Sequence, residues 1–482
     1  MKKALAVGGI ALILAAPVMA ETTAPANADL ASAQAQIDLL KQQLERLEAT
    51  VDYLKANAAA ERNDAAVATV DVTNLKTAAA KYLWSGDLRV RRELIDVAND
   101  NASPDHTCQR DRVRLRFGVL AKVNDTISAK LQFSTTNNGN DSARSTNQTL
   151  GTSWDKKPLS IDQAYVDWKA NAMVNVQLGK MPIPWTTTAS YFWDKDLTPE
   201  GAAVKFTRGP WFAGAYYDGL NERNGASQGA STDATMAGFQ VGFKQGFGYS
   251  TLTLAAGYFD LTGVQDQIAK YSQTQIADLA PGSATPGKVT TTTCAIDGAF
   301  GNGSGTGDNS FGNTLYTGVA PQIGNGTSCA RLASDFNIVT GLMQFDSKLG
   351  KYPFAVFVDY MKNNAAKAVP APINKTLDSA SAIGFTFNKA SAPKTWEASV
   401  VYEQNGKDAV FGQFVDSDFG GGATDSKGWS FKGAWVPATN WTLNGTYFLN
   451  KLNYDGAVSA PLNKDKHNLD YKRVQLDLNY KF

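Results

Sequence analysis

The sequence predicts an all-β transmembrane antiparallel barrel of about sixteen strands, preceded by a short α-helical coiled coil. Three observations carry that expectation. From Tyr82 onward apolar and polar residues alternate with period two, the pattern of a strand with one apolar face. The connections between these runs alternate between short and long. Trp84, Trp168, Trp211, Trp396, Trp435 and Trp441 fall at run ends beside the short connections or the barrel start, where amphipathic rings meet lipid headgroups. A soluble sandwich accounts for the first observation and for neither of the others.

Taken in order, the chain opens with Lys2 and Lys3, an apolar run from Ala4 to Ala16, and Val18-Met19-Ala20 before Glu21. This is the layout of a cleaved export signal over residues 1–20. The run is too short for the ~20 residues that a spanning helix needs, and no Cys follows the cleavage site as in a lipoprotein. The chain is therefore expected to leave the cytoplasm of a Gram-negative cell. No later stretch is apolar enough for a spanning helix, but a closed barrel also satisfies every backbone group within a bilayer. The net charge of +1 gives no support for nucleic-acid binding.

Residues 21–62 form the expected periplasmic coiled-coil segment. Leu30, Ile37, Leu44, Val51 and Ala58 share one heptad position, and Ala33, Leu40, Leu47 and Leu54 the other. A single strand cannot bury such a seam, so the segment implies an oligomer. An Ala/Thr/Asn-rich linker follows over 63–80, and the barrel domain occupies 81–482.

Strands are expected near 83–96, 109–122, 126–137, 159–169, 173–182, 201–208, 211–219, 234–245, 247–261, 336–347, 353–363, 380–389, 395–404, 427–436, 440–451 and 469–482. The short turns, expected on the periplasmic side, include Val123 to Asp125, Ala170 to Ala172, a one-residue turn at Gly246, and Pro437 to Thr439; the long connections, expected to be external loops, include 183–200, 262–335 and 405–426. In the last strand Val474, Leu476, Leu478, Tyr480 and Phe482 share the apolar face, leaving Arg473 and Asp477 on the other. Lipid outside and water inside then orient every strand. Arg112, Arg114 and Arg116 point inward from the second strand, and Asp87, Arg89, Arg91 and Glu93 from the first. Lys130, Lys205, Lys432, Asp167 and Asp359 face inward by the same rule, and inward positions read as mostly polar. Arg92 breaks the outward apolar row and suits a headgroup or subunit contact.

Five arginines on two adjacent strands make a basic stripe, or else a solvated face neutralised by neighbouring carboxylates. Loop 183–200 sets Asp194, Asp196 and Glu200 beside Tyr191, Phe192 and Trp193. Aromatic residues that dense are unusual in water. Folded into the lumen, the loop would oppose its acids to the arginines and set a transverse field across a constriction; packed at the rim, it would clasp a neighbour.

Cys294 and Cys329 share a long polar segment and are the expected disulfide, with a bridge from Cys108 as the competing arrangement. His106 and His467, both expected in loops, provide no catalytic unit in the wall and no metal set with Cys108. The segment from Asp297 to Asn313 is expected to be a flexible external loop rather than a calcium site. No nucleophile elbow, P-loop or catalytic carboxylate pair is found, so neither enzymatic activity nor a cofactor is expected.

The terminal Tyr480-Lys481-Phe482 resembles the closing strand of bacterial outer-membrane barrels, which implies that Phe482 is read by the barrel-assembly machinery. Trp84 to Glu93, Leu178 to Trp185 and Tyr191 to Val204 resemble the proteobacterial "putative porin" family. That resemblance implies a trimeric, water-filled channel in outer-membrane lipid, admitting small solutes and ions, with Arg89, Arg91, Arg112, Arg114 and Arg116 opposite Asp194, Asp196 and Glu200. A barrel tethered by its coiled coil for adhesion, and a channel selective for anions, are the alternative expectations.

Overall fold

Period-two alternation is realised as a closed wall. The computed structural model describes residues 34–56, 80–97, 106–136, 143–151, 153–223, 233–269, 272–277, 289–294, 309–319, 328–369, 374–454 and 468–482. Its main sheet contains seventeen strands. One, Gln148–Thr149, is a two-residue piece lying beside Arg112 and Val113. The other sixteen form the antiparallel barrel. They are β1 (Tyr82–Val97), β2 (His106–Lys122), β3 (Ile127–Thr135), Leu159–Lys169, Val174–Lys180, Glu200–Arg208, Trp211–Asn221, Ala234–Phe247, Ser250–Thr262, Phe336–Leu349, Tyr352–Asn363, Ser379–Asn388, Trp396–Asn405, Ser426–Trp435, Trp441–Leu452 and the closing strand Leu469–Lys481. The expected strands coincide with these to within a few residues at each end.

The seam closes β1 against the last strand, in register from Asp87↔Lys481 to Val97↔Tyr471. Gly86 and Phe482 exchange backbone hydrogen bonds of 2.9 and 3.0 Å. A Cβ on Gly86 would sit 2.4 Å from Phe482 Cζ and 2.6 Å from the Arg116 carbonyl oxygen. Glycine is what lets the terminal ring lie across the seam.

Outward rows carry Val90, Ile161, Leu178, Val204, Ile383 and Leu476, all exposed. Such a band is tolerable only against lipid. The six turn-end tryptophans are all exposed as well, in keeping with an interfacial girdle. At the short-turn end, Asn124 Oδ1 accepts from the Thr126 and Ile127 amides, and Asn171 Oδ1 accepts from those of Met173 and Val174. These Asx turns supply the hydrogen bonds that so short a reversal needs. The turn expected at Gly246 lies instead at Gly248-Tyr249, because Gly248 is the residue with positive φ (60°).

Several long connections depart from expectation. Part of 262–335 forms two-stranded hairpins, Ser272–Ala277 with Val289–Cys294 and Leu315–Val319 with Ser328–Leu332. Residues 309–315 are not a free external loop: Asn313 donates to the Lys407 and Val410 carbonyls, and Leu315 is buried. Asp297 lies outside the described residues. His106 opens β2 rather than lying in a loop, and His467 is outside the described residues.

Residues 34–56 are a helix with Leu40, Leu44, Leu47 and Leu54 exposed. Leu30, Ala33, Ala58, the signal at 1–20 and residues 63–79 of the linker lie outside the described residues.

Candidate functional site

The loop between Val174–Lys180 and Glu200–Arg208 crosses the lumen. Its base is closed by the Met181 amide on the Pro199 carbonyl (2.9 Å). Thr186 exchanges two bonds with the Gln240 side chain. Thr188 and Ser190 hydroxyls donate to Asp359 Oδ2 at 2.7 and 2.8 Å. The Tyr191 amide reaches Glu403 Oε2 at 2.8 Å, and its phenol meets the Ser430 hydroxyl. On the far side Asp196 Oδ2 accepts from the Thr146 amide and hydroxyl. These anchors belong to strands well separated around the barrel, so the loop spans the interior. Burial of its aromatic residues holds it there: Phe192 is fully buried, and Trp185 packs against Trp193, Tyr216 and Phe259 with centroids 4.9–5.4 Å apart.

A second loop, 406–425, also folds inward. The Asp194 amide donates to the Phe414 carbonyl, Asp194 Oδ2 accepts from the Ser417 amide, and the Asp416 amide donates to the Tyr191 carbonyl. Tyr191 stacks on Phe419 at 4.9 Å, and Trp193 on Phe414 at 5.5 Å. Arg144, nearly fully buried, donates to the Val415 and Gly422 carbonyls. This loop was expected to be external. The signal that could have found it is the apolar run Ala409, Val410, Phe411, Phe414, Val415 and Phe419, as odd in water as the aromatics of the first loop. The inward face is also less polar than expected: Tyr216, Phe259, Phe357, Met361 and Phe448 point into the lumen, where they join the core made with the two loops.

The opposite wall, formed by β1, β2 and the closing strand, carries the charges. Arg91 holds Asp477 through two bonds (2.6 and 2.9 Å) and reaches Asp418 at 3.0 Å. Arg473 pairs with Glu93 (2.8 Å) and Asp418 (2.7 Å). Arg114 and Arg116 share Asp87 at 2.6 and 2.8 Å, and Arg116 reaches Asp196 at 3.6 Å. Arg112 lies 3.7 Å from Glu93 and donates to the Asn147 carbonyl. Arg89 has the loosest carboxylate contact, 3.9 Å from Asp477, and donates to Asn479. The stripe is thus a neutralised network, as deep burial of guanidinium groups demands. Sequence spacing could place these arginines inside with Asp87 and Glu93 beside them on β1, but Asp477, Asp418 and Asp196 reach them only through the barrel seam and the two inward loops.

Between this wall and the loops lies a cavity of about 240 Å³. Its basic lining is Arg89, Arg91, Arg114, Arg144, Lys195 and Lys432; its acidic lining is Asp194, Asp196, Glu397, Asp416, Asp418 and Asp477. The signs balance six to six by count, so protonation decides the net charge. Burial, with the Asp416 and Asp196 charges, pushes the Asp194 carboxyl well above the usual carboxylate range. Burial and the Asp418 charge raise Asp416. Burial acts on Asp418 in the same direction, but Arg473 and Arg91 outweigh it and hold this carboxyl ionised. Lys195 is exposed within the lumen and makes no ion pair among the described residues. The neighbouring Lys432 charge, then burial, lowers its pKa. Lys432 lies over the Tyr191 ring at 4.7 Å. Lys195 escaped sequence reasoning although it stands between the two aspartates singled out there.

Two expectations need correction. Glu200 does not oppose the arginines: it shares the outward row of Ala202, Val204 and Phe206, is exposed, and bonds Lys180 at 2.7 Å. Asp194 presents no free charge to the arginines, because its oxygens accept from the Asp196 and Ser417 amides. Arg92, which broke the apolar row, pairs on the outer face with Asp111 and Gln109, both at 2.7 Å. Cys108 is a free, exposed thiol and Cys329 is buried and disulfide-bonded. The Cys294 side chain lies outside the described ones.

A sixteen-stranded lipid-facing barrel narrowed from within by its own loops defines a membrane channel. A sequence model of the family described as "Putative porin" matches residues 97–482, and the chain belongs to that family. It is an outer-membrane porin. Solved structures with a similar chain path include OprB of Pseudomonas putida at high pH (11% identity, TM-score 0.48, covering 85% of this chain and 96% of that one). OmpF of Salmonella typhi in complex with daunomycin matches at 9% identity and TM-score 0.43, over 83% of this chain and 97% of that one. A loop-deleted OmpT of Vibrio cholerae matches at 10% identity and TM-score 0.41, over 83% of this chain and 100% of that one. No curated protein matches the chain.

Proposed function

We propose that the protein is a passive, water-filled channel for small hydrophilic solutes and ions, assembled as a homotrimer and favouring anions at neutral and lower pH. The observation that carries this reading is the cavity lined by six basic and six acidic groups, in which burial shifts Asp194 and Asp416 toward their neutral forms. Neutralising either aspartate leaves the lining net positive. Arg89, Arg91 and Arg114, together with Asp194 and Asp196, line this cavity, and solute is sorted there by charge. The apolar inward residues that would favour a filled, tethering barrel are covered by the constriction loops, and the charged cavity lies against the polar wall.

The exposed heptad row of 34–56 supports association of several copies in the periplasm, and the seam position of Phe482 supports its role as the assembly signal. Cys294 is our assignment for the partner of Cys329. Purified protein added to planar bilayers is expected to give stepwise conductance grouped in threes, with reversal potentials on the anion side in a salt gradient. A folded, heat-modifiable oligomer that conducts nothing would refute the channel.

A further inference from the structure

A second cavity, of about 260 Å³, sits apart from the arginine wall. It is enclosed by the loop residues Trp185, Trp193 and Leu197 and by the outer ends of the strands that carry Asp218 and Met236. Asp218 follows Gly214 and Tyr216 on the inward row of its strand and is 2% exposed. Neither carboxylate oxygen has a hydrogen-bond partner, and no cation pairs with it among the described residues. A carboxylate removed from water without a partner is costly, and native structures rarely leave one so. The Trp185 indole Nε1, at a residue only 6% exposed, is likewise without an acceptor. Two orphaned polar groups therefore line one cavity.

The surroundings say what would satisfy them. Trp185 and Trp193 meet edge to face at 4.9 Å and form an aromatic corner. Lys180 lies at the rim, but its charge is matched by Glu200 at 2.7 Å and its ammonium also donates to the Thr198 carbonyl. The unmatched charge of the pocket is thus negative, and two indoles, a ring type that attracts cations, are part of its lining. An anion would meet Asp218 with nothing to offset it. The volume suits one ring and a short chain, being at the lower end for ligand pockets.

We propose that this cavity is a binding site for a small organic ammonium ion with an apolar body: the ammonium on Asp218, the body in the Trp185–Trp193 corner, and any ligand oxygen accepting from the Trp185 indole. Binding here does not depend on conduction. The experiment is isothermal titration of the full-length protein in detergent with benzylamine, benzyl alcohol and benzoate at neutral pH. Benzylamine is expected to bind about ten-fold or more tightly than benzyl alcohol, and benzoate most weakly. Asp218→Asn should remove that ten-fold preference and leave benzyl alcohol binding as it was. Equal affinities of wild-type protein for benzylamine and benzyl alcohol, or tighter binding of benzoate, would overturn the site whether or not the variant folds. So would an Asp218→Asn protein that keeps the wild-type preference.

Discussion

Asp418 is the point at which loop 406–425 is riveted to the charged wall, and Asp418→Asn tests that role. Its two oxygens reach Arg473 at 2.7 Å and Arg91 at 3.0 Å. Hydrogen bonds to charged groups contribute about 1.5–3 kcal/mol each. The low end applies here, because Arg473 retains Glu93 and Arg91 retains Asp477 after the substitution. Losing the ionic part of both contacts weakens the seat of the loop by about 3 kcal/mol, or about a hundred-fold in the ratio of seated to unseated loop. The remaining anchors, Asp194 on the Ser417 amide and the stacked Tyr191–Phe419 pair, keep the loop folded most of the time. Single-channel recording should therefore show frequent excursions to a larger conductance level. The loss of one fixed negative charge should also move the reversal potential further toward anions. A variant with wild-type noise, conductance and selectivity would show that Asp418 neither anchors the loop nor faces the permeation path.

Acidity provides an independent handle on the same cavity. Asp194 and Asp416 have raised pKa values in the folded protein, so their neutral forms are favoured there. Their contribution to seating the loops is full below the ordinary carboxylate value of 3.8 and is lost as pH rises through the raised values. Reversal potentials measured from about pH 4 to about pH 9 should drift from anion toward cation preference, and a drift of the opposite sign would contradict the assignment. At the barrel seam, Gly86→Ala sets a Cβ against an immobile backbone oxygen at 2.6 Å. Overpacking of that kind costs about 1–3 kcal/mol, so the temperature at which the folded band is lost on a heated gel should fall; no shift would mean the seam can yield. Deleting residues 28–58 should weaken or abolish the trimer on native gels, and an equally stable trimer would show that the barrel walls alone hold it together.

The wall of this protein is written openly in its sequence. Two-residue alternation survives in every strand because lipid and water face opposite sides of one sheet. The inward placement of Arg112, Arg114 and Arg116 follows from Val113, Leu115 and Phe117 without reference to anything distant. The first constriction loop was legible too, because Tyr191-Phe192-Trp193 has no reason to stand in water. The second was hidden by treating length alone as the mark of an external loop, when the apolar run from Ala409 to Val415 contradicted it. The ion pairs to Asp477 and Asp418 were out of reach for a different reason. Arg91 meets Asp477 only because the barrel closes, and meets Asp418 only because a loop hundreds of residues later folds inward. Glu200 was misplaced because it was read as part of the loop, whereas it opens the strand and alternation puts it in the outward row of Ala202, Val204 and Phe206.

The central claim is that solute passes between loop 181–199 and the arginine wall, and Asp196→Cys tests it most directly. Asp196 lines the cavity and stands 3.6 Å from Arg116. A small thiosulfonate reagent bearing an ammonium group, added while single channels are recorded, should reduce the current of every labelled Asp196→Cys channel in discrete steps. Wild-type channels, whose free thiol is the exposed Cys108, serve as the control and should conduct as before. Full labelling by mass spectrometry with no change in current would place the permeation path elsewhere.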